Sequence, residues 1–358
     1  MRILFIKPKE IGDSLILTPT IRATKQLYPE AEIWVVVRRG CEGILEGCTE
    51  INHILALSGV EKRERTHRDL WRDLQVLYRL RSVRFDVVFE LGDGHRGRLF
   101  AILTLADRRY TVKLSGPLKW WERWRLTAES SFKWQASHRV EKDFYTVAEF
   151  LQLPEPIPPM VFARERMQSW PEGGKLTHYC LLQIGSRKAV NRWPREKWRE
   201  VAAYLFEHFE QVIVSCGTAP EEVADAEWLR EELGPRIVCT LGKTNWAQVA
   251  GLLDKAGLYV GLNTAAMHLA TACQCPIVTL FGRTSEEHWY PWRANFRNVA
   301  AESFAHISDP IQRHQLTRGR NMEDIQPRQV IEACREILSK KESVRGTGFE
   351  PVTPTVSM

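Results

Sequence analysis

The feature that most constrains this chain is an alternation: short β-branched runs and amphipathic helical stretches follow one another along most of its 358 residues. Arg2–Ile6 reads as a strand and Asp13–Leu27 as a helix carrying Leu15, Ile16, Ile21 and Leu27. Ala31–Val37 and Phe85–Leu91 read as further strands, and Glu141–Leu151 as a closing helix. The second half repeats the pattern more cleanly. Strands are expected at His178–Ile184, Gln211–Cys216, Arg236–Cys239, Leu258–Leu262 and Pro276–Phe281. Between them fall a helix opened by Pro194 and helices Glu221–Leu233, Trp246–Asp254 and Thr264–Ala272. After Pro194, Trp198, Val201, Ala202, Leu205, Phe206 and Phe209 recur at helical spacing. Such alternation argues for parallel sheets, because each crossover helix returns the chain to begin the next strand in the same direction. The expected fold is α/β: two Rossmann-like domains whose parallel sheets face a central cleft.

The boundary follows from proline. Leu153–Pro159 holds four prolines within six residues, a stiff extended segment. This gives a first domain at 1–152, a linker at 153–175 and a second domain at 176–340, which ends on an amphipathic helix, Arg328–Lys340. The remainder, 341–358, becomes Gly/Pro-rich from Arg345 and is expected to be a disordered tail.

Composition excludes several classes. With 44% hydrophobic and 26% charged residues the chain is not disordered, fibrous or collagen-like. No apolar run reaches the ~18 residues of a membrane span, and Met1–Pro8 is too short an apolar stretch for a signal peptide. A cytoplasmic protein is the expectation. Eight cysteines without a CxxC pair agree with it, and Cys273-Gln-Cys275 reads as structural rather than as a metal pair. The net charge of +6 is uneven: Lys62–Arg84 has eight basic and three acidic residues, Arg108–Lys142 nine and three. The first reads equally as a solvated helix face. The second interleaves its charge with Trp120, Trp121, Trp124 and Trp134, a mixture suited to an anionic membrane surface or a sugar-lined groove.

Ligands of parallel sheets sit outside the carboxyl ends of the strands. There the first loop reads Lys7-Pro-Lys-Glu-Ile-Gly12-Asp13-Ser14, with an acid at the helix start that could be a plain cap. It lacks GxGxxG, so dinucleotide binding is unsupported. The loop Gly185–Trp193 sets Ser186, Arg187, Lys188, Asn191 and Arg192 ahead of a helix, a cradle for a diphosphate. Next, Asn263-Thr264-Ala265-Ala266-Met267-His268 opens a short helix with Thr264 and His268 one turn apart. Phe281–Trp289 has the same strand-to-polar-loop form.

Taken together, Gly12-Asp13, Arg192-Trp193-Pro194, Gly217 with Glu221, Asn263–Ala270 and Phe281-Gly282-Arg283-Thr284 resemble glycosyltransferase family 9, the ADP-heptose:lipopolysaccharide heptosyltransferases and their relatives. The resemblance runs from Met1 to about Leu338 and is thin from about 55 to 140. It implies a GT-B fold and inverting transfer of a sugar, without metal or cofactor, from a nucleotide diphosphate such as ADP-heptose to a lipopolysaccharide-type acceptor. It places the acceptor on the first domain and the donor on the second. Asp13 would be the general base. Ser186, Arg187, Lys188, Asn191, Arg192, Glu221, Asn263, Thr264, Ala265 and His268 would hold the donor. Lys7, Arg123, Arg125, Trp121 and Trp124 would meet the acceptor and the inner face of the cytoplasmic membrane; nucleic acid is not an expected partner. The chain departs from the family pattern at Asn263, where an acid is usual, at Asn191, where a lysine is usual, and at Ala265, where a glycine is usual. A different nucleotide sugar, or binding without turnover, are the alternatives these changes motivate.

Overall fold

The computed structural model describes residues 1–59, 65–114, 116–171, 174–304 and 306–346. The first domain contains β1 (Arg2–Lys7), α1 (Ile11–Leu27), β2 (Glu32–Arg38), β3 (His53–Leu57), α2 (His67–Val83), β4 (Val87–Glu90), α3 (His95–Leu103), β5 (Arg108–Thr111), α4 (Trp120–Arg125), β6 (Ala128–Glu129) and α5 (Arg139–Leu151). The second contains β7 (Tyr179–Gln183), α6 (Arg195–Leu205), β8 (Gln211–Ser215), α7 (Pro220–Leu233), β9 (Ile237–Cys239), α8 (Trp246–Lys255), β10 (Tyr259–Leu262), α9 (Ala265–Ala272), β11 (Ile277–Phe281), α10 (Glu286–Trp289), β12 (Phe296–Ala300), α11 (Pro310–Gly319) and α12 (Pro327–Gly346).

Each domain builds one six-stranded sheet. The orders are β3-β2-β1-β4-β5-β6 and β12-β11-β10-β7-β8-β9. Every pairing is parallel. Read from opposite edges these are the same doubly wound order, so each sheet has one switch point, between β1 and β4 and between β7 and β10. Ile3–Ile6 and Ile33–Val37 are buried on both faces, as β-branched runs between two helix layers must be. One continuous core joins the two halves: Ile16 and Phe144 of the first domain share it with Leu253 and Met267 of the second. A separate cluster, Leu4, Ile6, Val36, Leu80 and Phe100, lies on the outer face of the first sheet under α2 and α3.

Several elements were not legible. Strand β5 reads Arg-Arg-Tyr-Thr, and the edge strands β6, two residues long, and β12, Phe-Arg-Asn-Val-Ala, are equally short or polar; such strands carry little hydrophobic period. Helix α6 stops at Leu205, so Phe209 fills the core from beyond the helix rather than from its stripe. The linker is not a solvated strap: Leu153, Ile157, Met160, Phe162 and Trp170 are buried and the Gln168 amide donates to the Ala247 carbonyl. The last helix continues through the start of the expected tail to Gly346, and the rest of that tail lies outside the described residues, as do 62–64 of the first basic stretch. Cys273 and Cys275 are buried, their thiols turned to the carbonyls of Ala250 and Ala256.

Candidate active site

The two switch points face each other, and their loops carry the unusual side chains. At the first, β1 delivers Lys7 into the interior, where its ammonium donates to Asp143 Oδ2 at 2.5 Å and lies 3.9 Å from Asp13 Oδ1. Asp13 sits in the first turn of α1. Its Oδ2 accepts from the Glu10 amide at 3.3 Å, so the carboxylate does cap the helix, while Oδ1 remains turned to Lys7. Its side chain is 17% exposed, enough to meet a ligand in the cleft.

Around Asp13 the first domain gathers charge that the sequence reading missed. Arg139, Lys142 and Asp143 stand at i, i+3 and i+4 of α5, one helix face. The Arg139 guanidinium lies over Trp134 at 4.4 Å and over Trp289 of the second domain at 5.4 Å. Burial lowers its pKa against the pull of Asp13, Asp143 and Asp93. The Lys142 ammonium lies 4.6 Å from the Trp134 ring, and burial brings its pKa down to about 8, opposed by Asp143 and Asp93 and assisted by Lys7 and Arg139. Burial conversely raises the Asp143 carboxyl, against Lys7 and Lys142. Asp93 stands in the loop after β4 with φ +56°, between Gly92 and Gly94. Trp134, expected on a surface patch, is buried and forms a wall of this cluster.

The second domain contributes three loops. After β7, Ser186 is buried while Arg187 and Lys188 are exposed. Arg187 reaches across the cleft to both carboxylate oxygens of Glu10, at 3.1 Å each. Lys188 makes no ion pair among the described residues. Arg192 is committed elsewhere: it donates to the Ser186 carbonyl at 3.0 Å and to Glu221 at 2.9 Å, with Glu222 at 3.7 Å. It therefore braces the loop instead of replacing the missing lysine. Glu221 is exposed, its pKa lowered by the amide at the start of α7 and by Arg192. The buried carboxylate here is Glu222, unmarked in the sequence reading. It accepts from the Gly217 amide at 2.7 Å, and a Cβ on Gly185 would stand 2.0 Å from its Oε2. Asn191 lies half-buried in the same loop.

After β10, the Asn263 side-chain amide donates to the Thr284 hydroxyl at 2.9 Å, tying two loops together. Thr264 is the N-cap of α9 and Ala265 its first residue, so the free amides of that helix open on the cleft. His268 lies where α9 meets α1. It is 3% exposed and packs against α1, where a Cβ on Gly12 would lie 2.7 Å from its Cδ2. Burial, with Lys7 nearby, lowers its pKa to about 3, and its Nδ1 has no hydrogen-bond partner among the described residues. It is a neutral imidazole at the domain contact. His138 is its counterpart: Nδ1 accepts from the Val140 amide, so Nε2 carries the proton and donates to the Tyr290 carbonyl at 2.9 Å, with the pKa lowered by burial to about 3.

The surface residues divide. On α4, Arg123 and Arg125 are exposed and Trp124 is 83% exposed, but Trp121 is half-buried and Trp120, at 77%, is its outward partner. No helix among the described residues is long and apolar enough to cross a membrane.

Two facing doubly wound sheets, with cations, helix amides and a carboxylate at their switch points, make up a GT-B fold. The sequence profile of Glycosyltransferase family 9 (heptosyltransferase) matches residues 74–313, and the chain belongs to that family. Lipopolysaccharide heptosyltransferase 3 of Escherichia coli (strain K12) is 25% identical over 345 residues, covering 93% of this chain and 96% of that protein. The solved structure of the E. coli heptosyltransferase WaaC with ADP superposes with a TM-score of 0.78 at 18% identity, over 94% of this chain and 100% of that one. The glycosyl transferase family 9 protein from Veillonella parvula DSM 2008 also gives 0.78, at 17% identity, over 95% and 97%.

Proposed function

We propose that this enzyme transfers a heptose from ADP-heptose to a hydroxyl of a lipopolysaccharide-core acceptor, with inversion and without a metal ion, at the cytoplasmic face of a membrane. The observation that carries this reading is the closeness of the two switch points: a side chain on Gly12 would touch His268, and its Cβ would be 3.6 Å from the Ala265 Cα. Asp13, one residue on, therefore works within reach of the α9 amides that would hold a diphosphate.

In the proposed step the acceptor oxygen attacks the anomeric carbon from the face opposite the diphosphate. Its proton passes to Asp13, and the breaking carbon–oxygen bond leaves its electron pair on the diphosphate. Lys7, 3.9 Å away, orients Asp13 before the transfer. Arg187, Lys188 and the start of α9 stabilise charge on the leaving group, with Ser186, Asn191, Asn263, Thr264 and Ala265 shaping the pocket. Glu221 and Arg192 act as braces for that loop. Arg139 and Lys142 face the acceptor side, a half-buried and a buried cation suited to its carboxylate or phosphate groups. The exposed tryptophans and arginines of α4 meet the membrane surface.

The test is transfer itself. Purified protein with ADP-heptose and a heptose-acceptor core glycolipid should yield an acceptor heavier by one heptose in a mass spectrum. Asp13→Asn should lower kcat by about 10²–10⁴, the range of general-base loss, with ADP binding little changed. A second reading, donor binding without turnover, is favoured by Asn263, whose amide is spent on Thr284 where the family places an acid. ADP-heptose binding with no product in any acceptor would establish it, whereas turnover of a different nucleotide sugar alone would reassign the donor.

A further inference from the structure

Helix α2 carries an outward face that no described residue covers. Leu70, Trp71, Leu74 and Tyr78 are 47%, 65%, 56% and 79% exposed. At ~100° per residue they fall in one arc of about 100°, which also contains Arg81. On the flank of the helix, about 60–100° beyond that arc, stand Arg68, Arg72 and Arg79, all exposed, with the Arg79 guanidinium 5.3 Å over the Trp34 ring. The opposite side of the helix is the packed one, with Leu80 and Asp73 buried. A solvated helix has scattered apolar residues, not four large ones in a single stripe.

The acids of α2 do not neutralise this face. Asp73 turns inward to the Ser58 amide at 2.9 Å and to Arg96 at 2.5 Å. Asp69 caps the helix with Thr66 and lies 3.6 Å from Arg39. The outward side is thus apolar and cationic. Helices α2 and α4 are both anchored on the first turn of α3: Asp73 to Arg96, and Glu122 to Arg98 at 2.9 Å. That turn follows the β4 loop, so the surface borders the mouth of the cleft.

We propose that α2 is the principal membrane-docking element, its Leu70–Tyr78 stripe entering the headgroup layer of an anionic bilayer while its arginines meet lipid phosphates; the proposal rests on the membrane-glycolipid reading of the acceptor. Charge complementarity selects this occupant: Arg81 within the apolar stripe, with Arg68 and Arg72 on the flank of the same helix, matches a fluid anionic surface. Docking in this way presents the cleft mouth to acceptors held in the leaflet.

The full chain is sedimented with vesicles of equimolar phosphatidylglycerol and phosphatidylcholine, and with phosphatidylcholine alone. Wild type should bind the anionic vesicles at low salt, release as salt rises, and ignore the neutral ones. The Trp71→Ser/Leu74→Ser/Tyr78→Ser variant should lose roughly tenfold or more of its binding, more than Trp120→Ser/Trp124→Ser, while keeping its melting temperature and ADP affinity. If the triple variant does not fold, Arg72→Glu/Arg81→Glu should show the same loss. An α2 variant that sediments like wild type overturns the proposal while leaving membrane docking through α4. A wild type that transfers sugar to detergent-solubilised acceptor but binds no vesicles overturns docking and leaves the proposed function standing. A wild-type dimer that the α2 variant dissolves, with vesicle binding unchanged, makes the stripe a contact between two copies and overturns it too.

Discussion

Asp13 is both things a carboxylate at a helix start can be. One oxygen holds the Glu10 amide and the other faces Lys7, so capping fixes the rotamer with which a base would meet its substrate. Residue type alone could not separate those roles, because the capping bond and the Lys7 contact both lie within one turn of the strand end. The cluster behind it is the part that sequence reading missed. Its one visible signal was Arg139, Lys142 and Asp143 stacked beside the apolar positions Val140, Phe144 and Val147 of a helix that must be buried. Of these groups Lys142 gives the sharpest expectation. Its pKa in the folded protein is about 8 against an ordinary 10.5, so below pH 8 the folded chain carries a buried charge at a cost. Between those values the unfolded chain binds more protons than the folded one, and this group's contribution to stability therefore rises with pH. Acceptor binding should run the opposite way. As Lys142 loses its proton above pH 8, with Lys7 and Arg139 pressing on it and Asp143 and Asp93 holding it, KM for an anionic acceptor should rise. Lys142→Arg, which keeps its charge, should flatten that rise. A wild-type KM that is level across pH 8 places Lys142 outside the acceptor site.

Elements were legible in proportion to their burial. Strands β1, β2, β7, β8, β10 and β11 are apolar on both faces and could be read to within a residue or two, and their loops carried the donor-side candidates. Apart from β4, expected at Phe85–Leu91, the stretch from β3 to β6 was opaque, and ion pairs are part of what holds it. Helix α4 is six residues long, too short to persist without packing, and reads Trp-Trp-Glu-Arg-Trp-Arg, which looks wholly superficial. Yet Glu122 is fully buried, accepting from Arg98 at 2.9 Å and lying 2.9 Å from His95 Nδ1. Hydrogen bonds from His95 and Arg98 lower its pKa despite the opposing cost of burial. Removing one member of a buried pair leaves the other charge unsatisfied. Glu122→Ala should therefore cost about 3 kcal/mol in urea-induced unfolding and release α4 from α3. A loss within about 0.5 kcal/mol, the scale of an ordinary surface change, would show that Trp121 and Leu126 hold the helix without it. The same variant should weaken vesicle binding through α4 while leaving α2 in place.

At the scale of the whole molecule, two kinds of contact join the domains. Behind the cleft the seam is dry and neutral: His138 donates to the Tyr290 carbonyl, the Trp292 indole to the Pro158 carbonyl at 3.2 Å, and His268 packs on Gly12. Both buried histidines stay uncharged across the physiological range, so this seam should be insensitive to pH. At the mouth the contact is ionic and exposed. Glu10 takes both Arg38, at 2.7 Å, and Arg187, whose side chain is 66% exposed. Arg187 is also the cation proposed for the donor diphosphate, so Glu10 and the diphosphate compete for one guanidinium. An exposed ion pair is worth roughly 0.2–1 kcal/mol, which bounds what that competition can cost. Glu10→Gln keeps the side chain's length and removes its charge; it should tighten ADP binding by up to about fivefold in calorimetry at low salt. The gain should vanish toward 1 M salt, where the screening length falls to about 3 Å, and adenosine, having no phosphate, should bind both proteins alike. Weaker ADP binding by Glu10→Gln would give the pair the opposite role: Glu10 would then be holding Arg187 where the diphosphate needs it, and the first domain would help to build the donor site of the second.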